Sequence, residues 1–309
     1  MKYNPALDGI RALAVLGVVA YHCDVPYLGG GKLGVDVFFV LSGYLITSIL
    51  KREQESGGIR LGAFYLRRAR RLYPALCVLV GLVLAIRWAT PAGAGRVLLY
   101  LTDYGWLFGG TPGALAHTWS LAVEEHYYLL WPALLPVVMR SRRPVWMMLG
   151  LYVATTLWAS AHLIAPADGF RFDTRMSGLV FGSLLAFLPM TSWLPLALLG
   201  LATLALGLGI PAGIPFAEAA TACVLLLSNL TPLPFVTRPA LVYVGRISYG
   251  VYLFHYPMTF MVPEAWGWQA NLGLTLAGSL ALASISYYTV ERYFRTPRIS
   301  DQGMQPSAA

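Results

Sequence analysis

The chain has 309 residues, of which 57% are hydrophobic and only 12% charged. A soluble domain carries about 25% charged residues, so this composition, with a mean hydropathy of +0.62, excludes an ordinary soluble fold and points to a polytopic membrane protein. The net charge of +8 comes from 22 basic against 14 acidic residues. The bases cluster between apolar runs, where they set topology and meet anionic partners, which argues against nucleic acid.

The first apolar segment, Leu7 to Cys23, carries Asp8 and Arg11 at one end and His22 at the other. Eleven residues at about 100° each bring Arg11 and His22 back to one helix face, roughly 16 Å apart along the axis. Charges inside a span are costly and face a bundle interior or a cavity, so this helix reads as one wall of a polar site. Its weak n-region and the absence of a small-x-small site argue for a retained span over a removable leader. A turn-rich loop, Asp24 to Lys32, leads to a second span, Leu33–Leu50. The stretch Lys51 to Arg71 then holds Lys51, Arg52, Arg60, Arg67, Arg68, Arg70 and Arg71. Positive loops stay cytoplasmic, so this loop and the N-terminus face in.

A third span is expected at Leu72–Ala89. Val97–Phe108 is too short to cross a core about 30 Å thick and reads as a re-entrant or interfacial helix. Trp119–Val138 enters from outside and ends at Arg140, Arg142 and Arg143. Further spans are expected at Val145–Ile164, Met176–Leu188, Trp193–Ile210, Phe216–Leu230, Leu241–Val262 and Asn271–Val290. The fold class is therefore all-α: a transmembrane bundle of about ten spans plus the short helix, with both termini cytoplasmic. Residues 1–299 form one membrane domain, and 300–309 read as a disordered tail. Cys23, Cys77 and Cys223 lie in or beside apolar segments without metal or disulfide spacing.

Several constellations could carry chemistry. His22 and Asp36 lie near the outer ends of an antiparallel helix pair, where a carboxylate would orient the imidazole as a base. An interfacial His with an unrelated capping Asp is the bland alternative. The run His117-Thr118-Trp119-Ser120 continues to Glu124, Glu125 and His126, with Ser120 and Glu124 on one face. Two carboxylates in a span need pairing or water, and a structural clamp for Arg11 or Arg175 would also serve. Arg67, Arg68, Arg70 and Arg71 make a cationic rim suited to phosphates, or an ordinary positive-inside anchor. Arg246 and His255, nine residues apart in one expected span, face opposite sides of it and cannot both line one cavity unless the helix bends. His162, at an outer helix end, reads as interfacial.

The blocks LDGIRALAVLGVVAYH, GVDVFFVLSGYLI, FYLRRARRLYP and HTWSLAVEEHYYLLWP, with a weaker RISYGVYLFHYP, run in order through the chain. Together they resemble the acyltransferase-3 family of membrane-bound O-acyltransferases. The resemblance implies transfer of an acyl group, often acetyl, from acyl-CoA to a hydroxyl of a sugar, a surface glycan or a related acceptor. Its Arg-x10-His motif falls on Arg11 and His22, its Arg-x-x-Arg motif on Arg68 and Arg71, and its Ser-x-x-x-Glu motif on Ser120 and Glu124. The GVD block brings in Asp36. The resemblance thus implies catalytic roles for His22, Asp36 and Glu124. Arg11, Arg67, Arg68, Arg70 and Arg71 would contact acyl-CoA, and His117, Ser120, Glu125 and His126 the substrate. His22 would act as base or acyl carrier, oriented by Asp36 first and Glu124 second. His126 stands where similar sequences usually carry Gln, and the esterase-like domain of some relatives is not expected. No permanently bound cofactor or metal is expected; acyl-CoA, the acceptor and membrane lipids are the partners, and no oligomeric state is implied. A transporter or flippase of an anionic sugar or lipid, or an inactive scaffold, would place charges in spans equally well.

Overall fold

A computed structural model describes residues 3–108, 110, 112–162, 169–188, 218–225 and 233–294. Among these, every regular element is helical and there is no strand. The longer helices are α1 (Pro5–His22), α2 (Gly34–Glu55), α3 (Leu61–Ala85), α4 (Pro91–Leu98), α5 (Trp119–Arg140) and α6 (Pro144–His162). The chain continues through α7 (Phe172–Arg175), α8 (Ser177–Leu185), α9 (218–225), α10 (Pro239–Arg246), α11 (Ser248–Thr259) and α12 (Gly267–Ser286). The expected span Trp193–Ile210 and the expected tail 300–309 lie outside the described residues.

Local chemistry fixes several starts. Asn4 caps α1 by accepting the Ala6 N–H at 3.0 Å, with Pro5 at the first helical position. Thr90 does the same for α4, accepting the Gly93 N–H at 3.1 Å ahead of Pro91. Among the described residues, three helices are long and apolar enough to cross a membrane: Gly29–Glu55, which includes a 3-10 turn before α2, Pro144–His162, and Glu264–Phe294. Large apolar side chains are exposed along the outer faces, among them Leu130, Leu134 and Val137 of α5 and Trp146, Leu151 and Leu157 of α6. Apolar faces of this extent are expected where hydrocarbon is the surrounding solvent.

Boundaries differ from the sequence reading where polar residues extend a helix or a kink divides it. α3 begins at Leu61, so the arginine cluster lies within the helix and not before it. The expected short helix Val97–Phe108 is instead α4, ending at Leu98, followed by a kinked 3-10 turn over Thr102–Phe108. The expected single span Leu241–Val262 is divided at Ile247, whose φ of −97° and ψ of 6° end α10 and begin α11. The last helix passes through a π turn at Tyr287–Glu291.

Packing is tightest where small residues let backbones meet. α2 lies against α8, and a Cβ built on Gly43 would sit 2.0 Å from the Leu179 carbonyl oxygen. One built on Gly182 would sit 2.0 Å from the Val40 carbonyl oxygen. In lipid there is little hydrophobic force between helices, so close packing and interhelical hydrogen bonds hold them. Beside this contact Trp131 Nε1 donates to Thr47 at 2.7 Å, Thr47 donates to Ser183 at 2.7 Å, and Ser183 also lies 2.6 Å from the Tyr127 hydroxyl. This buried chain ties α2, α5 and α8 together beside the fully buried Phe39, Leu41 and Phe181.

The glycine contact makes a direct prediction. Gly43→Val should abolish the monodisperse species in detergent and lower the thermal midpoint. Gly62→Ala, with nothing within 4 Å of its added Cβ, should leave both unchanged.

Candidate active site

Four elements converge on a cluster of imidazoles and phenols. His22 closes α1 and remains partly exposed, whereas His255 of α11 and His117 of the Gly113–Thr118 turn are buried. His22 Nδ1 lies 3.0 Å from His255 Nε2. His255 Nδ1 lies 2.7 Å from the Tyr252 carbonyl oxygen. The His117 ring centroid is 5.4 Å from that of His255 and 5.1 Å from that of Tyr256. His117 donates from Nε2 to the Leu253 carbonyl at 3.1 Å, and its Nδ1 is buried without a hydrogen bond among the described residues. The Tyr252 hydroxyl donates to the His117 carbonyl at 3.0 Å and lies 2.6 Å from Ser120 Oγ. Thus His22, His117 and Ser120 are joined, through Tyr252 and His255.

The acidic and basic residues fall into separate pairs. Ser42 donates to Glu124 Oε1 at 2.5 Å, and Glu124 keeps partial exposure. Arg68 gives Nη2 at 2.9 Å and Nε at 3.3 Å to one oxygen of Glu125, with its guanidinium 3.4 Å from the Tyr128 ring centroid. Arg67 reaches back to Glu53 at 2.5 Å, while Arg70 and Arg71 are exposed. Arg11 pairs with Asp8 at 3.3 Å, and Arg246 approaches the same carboxylate at 3.9 Å. Tyr3, preceding α1, donates to Asp8 at 2.7 Å; burial, and then this bond, pushes its phenol above the ordinary range. Arg11 and His22 therefore share a helix but not an ion-pair partner. Among the described residues no group of three or more His, Cys, Asp and Glu is placed to hold a metal ion.

Two expected contacts are not made. Asp36 does not hydrogen-bond His22; it accepts from Arg175 at 3.1 Å, the two side chains being 4% and 12% exposed. The cause is packing. Asp36 lies in the first turn of α2, beside the α7–α8 segment that carries Arg175, whereas His22 meets α11. Arg175 also lies under Trp119, 5.2 Å from its ring centroid, and near Glu218, which holds Tyr152 at 2.7 Å and Ser177 at 2.9 Å. Glu124 likewise binds Ser42, not His22 or Ser120. His126 turns away to the buried Asp103, 3.1 Å from its Nδ1.

Sequence reasoning missed Tyr252, Ser42 and Asp103, and left His255 outside the site. The Tyr252/His255 spacing of three residues on α11 was the available signal for that pair. Ser42 and Asp103 carried none, because their partners are far along the chain. The Asp36–Arg175 pair yields a prediction. Removing one partner of a buried pair costs about 3–5 kcal/mol, so Arg175→Leu should lower the unfolding midpoint markedly. Asp36→Asn added to Arg175→Leu should recover part of the loss.

The site lies within a stretch, residues 4–290, that matches the acyltransferase domain of the acyltransferase-3 family. The chain is 31% identical over 350 residues to the peptidoglycan O-acetyltransferase OatA of Listeria monocytogenes, covering 96% of this chain and 56% of that protein. It is 31% identical to the putative peptidoglycan O-acetyltransferase YrhL of Bacillus subtilis, covering 96% of this chain and 55% of the relative. The putative O-acetyltransferase SAS0844 of Staphylococcus aureus is 29% identical, with 99% of this chain and 60% of the relative covered. The chain thus spans little more than half the length of these curated relatives. No solved structure matches it. On the extent of that family match, with its motifs gathered in one helical bundle, the chain belongs to the acyltransferase-3 family.

Proposed function

We propose that the chain is an O-acyltransferase of the bacterial inner membrane, moving an acyl group, acetyl in the first instance, from acyl-CoA to a glycan hydroxyl. The observation that carries this reading is the partly exposed His22, held 3.0 Å from buried His255, in a chain of an acyltransferase family. The named activities of the relatives support a hydroxyl acceptor of the peptidoglycan type. The topology that goes with it has about ten spans in one membrane domain, residues 1–299, and cytoplasmic termini. α1 then runs outward, with His22 toward the outer face and α3 presenting its arginines inward.

In this reading His22 takes the proton of the acceptor hydroxyl as its oxygen attacks the thioester carbonyl. A C–O bond forms, the C–S bond breaks, and the proton passes from His22 to the CoA sulfur. A transient acyl group on His22 is the stepwise form of the same reaction. Arg68 is committed to Glu125 and Tyr128, whereas Arg70 and Arg71 are exposed on the same helix, where a phosphate can reach them. Arg67 can join them because an exposed ion pair such as Arg67–Glu53 contributes only about 0–1 kcal/mol. Arg11 lines the donor path. Glu124, through its partly exposed carboxylate, and Ser120, through Tyr252, shape the acceptor side together with His117. Asp36, paired with Arg175, acts through the fold around His22. Glu125 and His126 have substrate-side parts through Arg68 and Asp103.

Labelled acetyl-CoA and an oligosaccharide acceptor, given to the full chain in nanodiscs, test the reading. His22→Ala should lower kcat by about 10²-fold or more. Arg70→Ala with Arg71→Ala should raise KM for acetyl-CoA with little change in kcat. Full transfer by correctly inserted His22→Ala protein would refute the mechanism.

A further inference from the structure

The hydrogen bonds around His255 determine where protons sit. A carbonyl oxygen only accepts, so at 2.7 Å from the Tyr252 carbonyl the proton of His255 must be on Nδ1. Neutral His255 then has a bare Nε2. Its neighbour at 3.0 Å is His22 Nδ1, which must be the donor, since two lone pairs at that distance would repel. A neutral His22 protonated on Nδ1 has its lone pair on Nε2. The geometry points to His255 as a positioning residue: it holds the proton of His22 on Nδ1 and so leaves Nε2 bare to receive the proton of the acceptor hydroxyl.

This assignment rests on His22 being the base of acyl transfer, and it adds the part that the expected carboxylate partners do not play. Neither Asp36 nor Glu124 bonds His22: packing turns Asp36 to Arg175 and Glu124 to Ser42. A neutral imidazole does the orienting instead. Buried at 0% exposure, it needs no counter-charge and imposes no ionic cost within the bundle. Tyr252 anchors it doubly, by its carbonyl to His255 and by its hydroxyl to the His117 carbonyl. The Val18 carbonyl, one helical turn before His22, lies near the His22 ring and is the rival acceptor for a ring proton. An imidazole free of neighbours favours Nε2–H, the tautomer unable to act as base at Nε2.

The test uses the full chain, labelled with [15N]histidine, in nanodiscs. In the wild type, His22, identified by the signal lost in His22→Gln, should carry its proton on Nδ1. It should also show N–H···N scalar coupling to a His255 nitrogen. A His22 protonated on Nε2, or the absence of that coupling, would overturn the assignment without any substitution at His255. His255→Leu removes the acceptor. It should shift His22 toward Nε2–H and lower kcat about 10²-fold, with KM for acetyl-CoA unchanged. His255→Gln can donate to the Tyr252 carbonyl and accept from His22, and should restore most of kcat. A folded His255→Leu protein that keeps both its kcat and Nδ1–H on His22 would show that Val18 holds the proton and His255 only packs. Activity of His22→Ala reports separately on the acyl-transfer reading, whereas the wild-type coupling reports on the proton arrangement whatever reaction His22 serves.

Discussion

A charge taken out of water must find its partner inside the protein, and this requirement organises the whole bundle. The unrelieved cost of such a charge is several kcal/mol even after relaxation. Asp36 answers it with Arg175, Arg68 with Glu125, and Asp8 with Arg11. Each pair spans either one helix turn or two helices, so satisfying the charges also fixes which helices stand together. The Asp36–Arg175 pair does this for α2 and the α7–α8 segment, and Arg68–Glu125 for α3 and α5. The histidine cluster is held instead by backbone carbonyls and by imidazole against imidazole, with His117 Nδ1 left unbonded among the described residues.

The charges could not pair as they do without close backbone contact elsewhere. Gly43 and Gly182 bring α2 and α8 together, which places Thr47, Ser183, Tyr127 and Trp131 within hydrogen-bonding reach. The same contact brings Asp36 and Arg175 to one end of the two elements. Small residues and polar side chains thus act jointly, as expected where lipid supplies no hydrophobic drive for helix association. The break at Ile247 has a comparable effect at the other side. It separates Arg246, which turns to Tyr3 and Asp8, from His255, which turns to His22.

The relation to the curated relatives concerns this membrane domain and not their full lengths. Within it the motif residues fall into separate groups. His22, Ser120 and His117 share one cluster, the Glu124–Glu125–Arg68 group forms a second, and Arg70 and Arg71 are exposed on α3. Such division would suit the acyl-CoA donor proposed above, whose phosphates and thioester lie at opposite ends, because anion contact and proton transfer need different surroundings.

The sequence by itself determined the helical class, the apolar setting, and the motif residues Arg11, His22, Arg68, Arg71, Ser120 and Glu124, together with the family they resemble. The class and the setting follow from local composition and from spacing along a helix, and the motif residues from the resemblance of their sequence blocks to that family, all of which one chain displays without its neighbours. Tertiary structure alone decided the partners. Asp36 was read as the companion of His22 because both lie near the ends of adjacent helices, but depth does not fix azimuth, and the rotation of α2 turns Asp36 to Arg175. His255 stayed outside the expected site because on a straight helix it and Arg246 cannot line one cavity, and whether the helix breaks at Ile247 is not legible from spacing. Its contact with His22 spans 233 positions of sequence, a separation over which no periodicity carries information. Pairing across such distances depends on how helices rotate and approach, and that is settled by the packing of glycines and the matching of buried charges.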